Sequence, residues 1–115
     1  GDIKTEAEFM DKNCIKVVHD LNNYALYFSR QPIPSSFKNE IKNLKKQVCV
    51  ISFRRDFLLE YNKLKPTDLE IAESVDMMRV IEHGYKIKLV PTKYESYAVD
   101  SINDIDKVKN YLRGI

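Results

Sequence analysis

Glycine is scarce in this 115-residue chain, and its three copies stand at positions 1, 84 and 114. A phosphate-cradling loop needs several glycines beside a helix start, so the chain carries no such loop of its own. Histidine and cysteine are equally rare, two of each, which is too few for a structural zinc site. Neither His19 nor His83 is matched to a serine or cysteine nucleophile in an elbow, and no self-contained catalytic set emerges. His83 reads as a cation at a helix C-terminus. Cys14 and Cys49 lie among apolar neighbours and read as reduced core thiols of a cytoplasmic protein. No run of about 18 apolar residues exists, so no membrane span is available. The N-terminus also lacks the apolar core of a signal peptide. A net charge of +2, evenly spread, offers no basic face for nucleic acid. Its densest basic cluster, Lys42, Lys45 and Lys46, reads as a solvated helix face.

What is present is an ordinary balance of apolar and charged residues, enough for a single domain over residues 1–115. The pattern predicts an α/β (α+β) chain, with a mixed β-sheet, a β-hairpin and flanking helices. Residues 5–10 can form a short helix or equally stay a mobile arm, and a β-branched strand is expected over 15–19. The turn Asp20-Leu-Asn-Asn23 tolerates positive φ, so this strand and the alternating stretch 24–29 form a hairpin. Pro32 and Pro34 then end ladder pairing. Residues 35–45 are expected to be helical, with a thin stripe of Phe37, Ile41 and Leu44. The most apolar run, 47–53, reads as a central strand buried on both faces. A helix follows over 55–64. Thr67-Asp-Leu-Glu70 is a capping box that opens one long helix to His83, with Ile71, Val75, Met78 and Ile81 inward and Gly84 as its stop. Alternation over 85–90 predicts a strand, and Ser101-Ile-Asn-Asp104 caps a last helix with Ile102, Ile105, Val108 and Leu112 on its inner stripe.

Three side chains are candidates for chemistry. Arg30 stands at the join between an aromatic strand and stiff proline-bound chain, where its fork suits a carboxylate or phosphate; an ordinary surface arginine is the alternative. Asp100 stands between an extended stretch and a capped helix. There it can hold Mg²⁺ together with ligand phosphates, or merely cap the helix. Asp76 shares a helix face with Arg79, three residues on, and the two can pair on the surface.

Tyr24-Ala-Leu-Tyr-Phe-Ser-Arg30, followed by Pro32-Ile-Pro34, resembles a signature of the CMP-Kdo synthetases (3-deoxy-manno-octulosonate cytidylyltransferases). Ile15-Lys-Val-Val18 resembles the strand before it. Phe53-Arg54 with Phe57, then Leu69-Glu70 with Glu73 and Arg79-Val80, are similar to the family pattern in the same order. His83-Gly-Tyr-Lys-Ile87, and Val99-Asp100 with Asp104, continue it. The resemblance implies the C-terminal part of a nucleotide-diphospho-sugar transferase-like fold. It implies transfer of CMP from CTP to a 2-keto sugar acid, with Mg²⁺ and release of pyrophosphate, for surface polysaccharide synthesis. It also implies that Asp100 matches a metal-binding aspartate, Arg30 an arginine lining the sugar-acid pocket, and Asp76 an acidic residue beside it.

The pattern is not carried throughout. The glycine- and arginine-rich loop that grips CTP and the first metal aspartate have no counterpart. Gln47, Ile51 and Met77 stand where the family holds histidine, tyrosine and glutamine. The expectation is therefore a sugar-acid-binding and dimer-forming part, inactive alone, whose partner is an N-terminal half or a second copy, with no nucleic acid and no membrane. The alternative is a non-catalytic interaction or dimerisation module on the same scaffold.

Overall fold

The computed structural model describes residues 1–35 and 43–115. Its centre is the hairpin. Strands β1 (Lys16–His19) and β2 (Ala25–Ser29) pair antiparallel, with Val17 opposite Phe28 and Val18 opposite Tyr27. The turn forms because the Asp20 carboxylate accepts the N–H groups of Asn22 and Tyr24 at 2.8 and 2.9 Å, while Asn23 takes φ 64°. The register then shifts beside His19, which pairs with Ala25; Leu26 is skipped and left exposed, while the successive Phe28 and Ser29 are both buried, so strict alternation is not kept along β2. A two-residue strand, β3 (Lys45–Lys46), lies on the other edge of β1, giving the order β2-β1-β3. The helix expected over 35–45 falls mostly on residues 36–42, outside the described residues, and its expected end is taken by β3.

Five helices flank this sheet among the described residues: α1 (Glu6–Met10), α2 (Arg55–Tyr61), α3 (Asp68–Glu73), α4 (Met77–Glu82) and α5 (Ile102–Arg113). The chain is thus mixed α/β, as the pattern predicts. Thr5 caps α1, its hydroxyl accepting the Glu8 N–H at 3.1 Å. The long helix predicted from Thr67 to His83 is instead two. Ser74 takes a left-handed conformation (φ 54°, ψ 48°) and separates α3 from α4. The break turns Met77, Met78 and Val80 onto the sheet, where they join Val17, Phe28 and Val75 as the buried core. Ile71, expected inward, is exposed. Gly84 ends α4 at φ 83°, a conformation only glycine adopts without strain.

Two expected strands do not form. Residues 47–53 belong to no element; Val50 is 88% exposed and Ile51 44%. Cys49, expected in the core, is exposed at φ 67°. A strand apolar on both faces needs neighbours above, below and beside it, and the described residues place none beside 48–53. Residues 85–90 form no strand but bridge to the hairpin at Tyr24–Lys88, through Ala25 N–H to the Ile87 carbonyl (2.9 Å) and Leu89 N–H to the Asn23 carbonyl (2.7 Å), with Ile87 and Leu89 half-buried against the core.

Candidate functional site

Arg30 follows directly on β2, and the chain holds it from every side. Its backbone N–H donates to Glu73 Oε2 at 2.9 Å, while Glu73 Oε1 accepts the hydroxyls of Tyr27 (2.9 Å) and Ser29 (3.2 Å). Its carbonyl accepts Lys16 Nζ at 2.6 Å. Its guanidinium donates from Nε to the Glu73 carbonyl (2.7 Å), from one terminal nitrogen to the Ser74 carbonyl (2.9 Å) and from the other to the Lys12 carbonyl (3.0 Å). The Glu73 and Ser74 carbonyls are available because the left-handed Ser74 interrupts the helix at the end of α3. The arginine is therefore a splint between strand, N-terminal arm and helical break.

Lys16 is fully buried with no carboxylate on its ammonium. Its three hydrogens go to the carbonyls of Asp11 (2.7 Å), Cys14 (2.6 Å) and Arg30 (2.6 Å). Burial pushes its pKa below the ordinary lysine value. Neither Lys16 nor Glu73 was singled out for a role by the sequence pattern. The available signal was a lysine inside an otherwise β-branched strand, where an unpaired charge is rarely tolerated.

Asp76 precedes α4 as its N-cap residue and is exposed. It stands two residues beyond Ser74, whose carbonyl Arg30 holds, so the fold brings Arg30 and the 74–76 turn to one corner. The expected Asp76–Arg79 pair does not form. Arg79 turns to Glu70, with Nε and a terminal nitrogen at 2.8 and 2.6 Å from its two oxygens, and stacks on the Tyr61 ring 5.1 Å away. That hydrogen bonding holds the Glu70 carboxyl below its usual range. Glu70 also accepts the Thr67 N–H at 3.2 Å, the reciprocal half of the capping box.

Asp100 lies apart, exposed ahead of α5. It is not the cap: Ser101 is, and Asp104 accepts the N–H groups of Asp100 and Ser101 and the Ser101 hydroxyl. The Asp100 carboxylate has no hydrogen-bond partner among the described residues. Its neighbour Asp104 is committed to Ser101 and to Lys107 at 3.0 Å. No three metal-ligating side chains come together among the described residues, so Asp100 offers one carboxylate and does not make a magnesium site by itself.

A cavity of about 980 Å³ opens on the core between residues 48–53 and 85–92. Arg30, Asp76 and Asp100 all lie outside it. Met77 and Ile51, at two positions where the resemblance expects polar pocket residues, line it; Met77 is buried in the core.

A family model described as cytidylyltransferase matches residues 1–87. The chain is 43% identical over 123 residues to the 3-deoxy-manno-octulosonate cytidylyltransferase of Geotalea uraniireducens, covering 96% of this chain and 49% of that protein. It is 41% identical to the protein of that name from Fusobacterium nucleatum, covering 92% of this chain and 43% of the relative. Among solved structures it is similar to a CMP:2-keto-3-deoxy-manno-octonic acid synthetase complexed with CTP, with a TM-score of 0.84 at 31% identity, over 96% of this chain and 46% of that one. The chain spans about half the length of the curated relatives it matches.

Proposed function

The chain belongs to the cytidylyltransferase family, and on that premise we propose that it is the C-terminal, sugar-acid-binding part, a single domain, of an enzyme that transfers CMP from CTP to a 2-keto sugar acid. The acid is Kdo or a close relative, made for surface polysaccharide synthesis in the cytoplasm, and the complete polypeptide works as a homodimer. The chain carries no glycine loop for a triphosphate, so the grip on CTP belongs to the remaining half.

The observation that carries this reading is the corner shared by Arg30 and the 74–76 turn. Three of the five guanidinium hydrogens are committed to carbonyls, leaving two for the carboxylate of a sugar acid. Asp76, exposed two residues beyond Ser74, would accept sugar hydroxyls. Asp100 contributes one carboxylate to Mg²⁺, the others coming from CTP phosphates, water and the rest of the polypeptide; the ion, when bound, neutralises phosphate charge.

A second reading, a non-catalytic interaction module, has its own support: Arg30 is satisfied structurally without any ligand, and Gln47, Ile51 and Met77 replace polar pocket residues. Titration of the chain with Kdo, followed by NMR at the Arg30 side chain and the Asp76 amide, separates the two. Saturable shifts at both support the sugar-acid site; their absence at millimolar ligand supports the module.

A further inference from the structure

Glu73 holds Arg30 at both ends. Its Oε2 accepts the Arg30 backbone N–H at 2.9 Å, and its backbone carbonyl accepts Arg30 Nε at 2.7 Å. A residue that merely tied β2 to α3 would need one of these bonds. Holding both ends restrains the torsions between them, and arginine is among the side chains with most rotamer freedom to lose. The carboxylate is itself fixed, because Oε1 accepts the hydroxyls of Tyr27 (2.9 Å) and Ser29 (3.2 Å), which share one face of β2. Three donors from the end of one strand thus converge on one side chain. An acceptor-only carboxylate suits that convergence; an amide would turn two hydrogens of its own toward it.

The guanidinium is oriented by the same residue. Nε and Nη2 form one edge of the group, and that edge grips the successive carbonyls of Glu73 and Ser74 (2.7 and 2.9 Å). Nη1 gives one hydrogen to the Lys12 carbonyl at 3.0 Å. Each terminal nitrogen has two hydrogens and has committed one, so each retains one. One hydrogen from each of two nitrogens is what a bidentate carboxylate accepts. Lys16 completes the hold, its Nζ donating to the Arg30 carbonyl at 2.6 Å. We propose that Glu73 is the positioning residue of the sugar-acid site: it orders Arg30 before any ligand arrives, so that the two uncommitted hydrogens are held ready for the carboxylate of a 2-keto acid. The inference rests on the reading of Arg30 as the receptor for that carboxylate. Its physical basis is preorganisation, since an arginine ordered on folding need not be ordered again on binding.

The test compares the chain with Glu73→Gln, Tyr27→Phe and Val80→Ala. Three quantities are read: the Kd for Kdo by NMR titration, the Arg30 Nε–H resonance, and the thermal midpoint. In the unaltered chain the Nε–H resonance should be sharp before Kdo is added and should move as it binds. Glu73→Gln should broaden that resonance and weaken Kdo binding by about tenfold or more. Tyr27→Phe keeps the carboxylate but removes one of its donors, so a smaller loss in the same direction is expected, and it carries the test if Glu73→Gln does not fold. Val80→Ala is the control for stability alone: Val80 is buried in α4 and takes no part in these bonds, so the midpoint should fall while the Kd stays within about twofold. Unweakened Kdo binding by Glu73→Gln would overturn the inference, as would equal weakening by Val80→Ala or an Nε–H already averaged in the unaltered chain. Any of these, with Kdo still bound by the unaltered chain, spares the functional reading. An unaltered chain that binds no Kdo at millimolar concentration overturns that reading, and the inference with it.

Discussion

Lys16 gives all three ammonium hydrogens to carbonyls and none to a carboxylate, so its removal leaves buried acceptors without donors. Lys16→Met is expected to cost about 2–4 kcal/mol, because each unsatisfied buried carbonyl carries a desolvation penalty that the added apolar contact only partly offsets. Urea denaturation measures it, and a loss below about 0.5 kcal/mol would mean that the carbonyls find water. Glu73→Gln tests the partner clamp. An amide keeps one acceptor oxygen but turns an NH₂ toward the Arg30 N–H or the Tyr27 and Ser29 hydroxyls. A loss of about 1–2 kcal/mol is expected. The Arg30 amide resonance should move with it; a variant with unchanged stability and an unmoved Arg30 resonance would show the clamp to be incidental.

At the scale of elements, α5 depends on a single carboxylate. Asp104 is held down to about 2, from 3.8, by hydrogen bonds from Lys107 first and then from Ser101. A carboxyl whose folded pKa is depressed stabilises the fold above its unfolded pKa and loses that contribution as pH falls through the folded one. Helix α5 should therefore fray between about pH 4 and pH 2, read as amide exchange along residues 102–113, and Asp104→Asn should remove the pH dependence. Fraying at the same pH in the variant would place the cause elsewhere. This helix and its cap were legible in the sequence, as were the hairpin, the Asn23 turn and the Thr67–Glu70 box, because each is set by neighbours within a few residues. The break at Ser74 was not. Apolar spacing ran through it, and the group that uses the freed Ser74 carbonyl, Arg30, stands 44 residues away. Residues 47–53 fail for the opposite reason: their pattern reads as a strand, but a strand needs a partner that the described residues do not supply. Of the candidate residues, Arg30 reaches the Ser74 carbonyl two residues before Asp76, Asp100 lies apart, and none of the three lines the cavity; the roles of Lys16 and Glu73 were hidden because they exist only across the fold.

The whole molecule is more open than a compact monomer. Its radius of gyration is 15.5 Å, where about 13 Å is expected for 115 residues. The inner stripe predicted for α5 meets no core, with Ile102 82% exposed and Leu112 also open. The chain keeps a buried hairpin core while much of its apolar surface stays open. The central claim, that this is one part of a cytidylyltransferase and needs the other, is tested most directly by CMP transfer. The pure chain is incubated with CTP, Kdo and Mg²⁺, with and without the unmatched half of the Geotalea relative. The account predicts no CMP-sugar from the chain alone, and CMP-sugar with stoichiometric pyrophosphate from the mixture. CMP-sugar formed by the 115-residue chain alone, at a rate the added half does not raise, would contradict it.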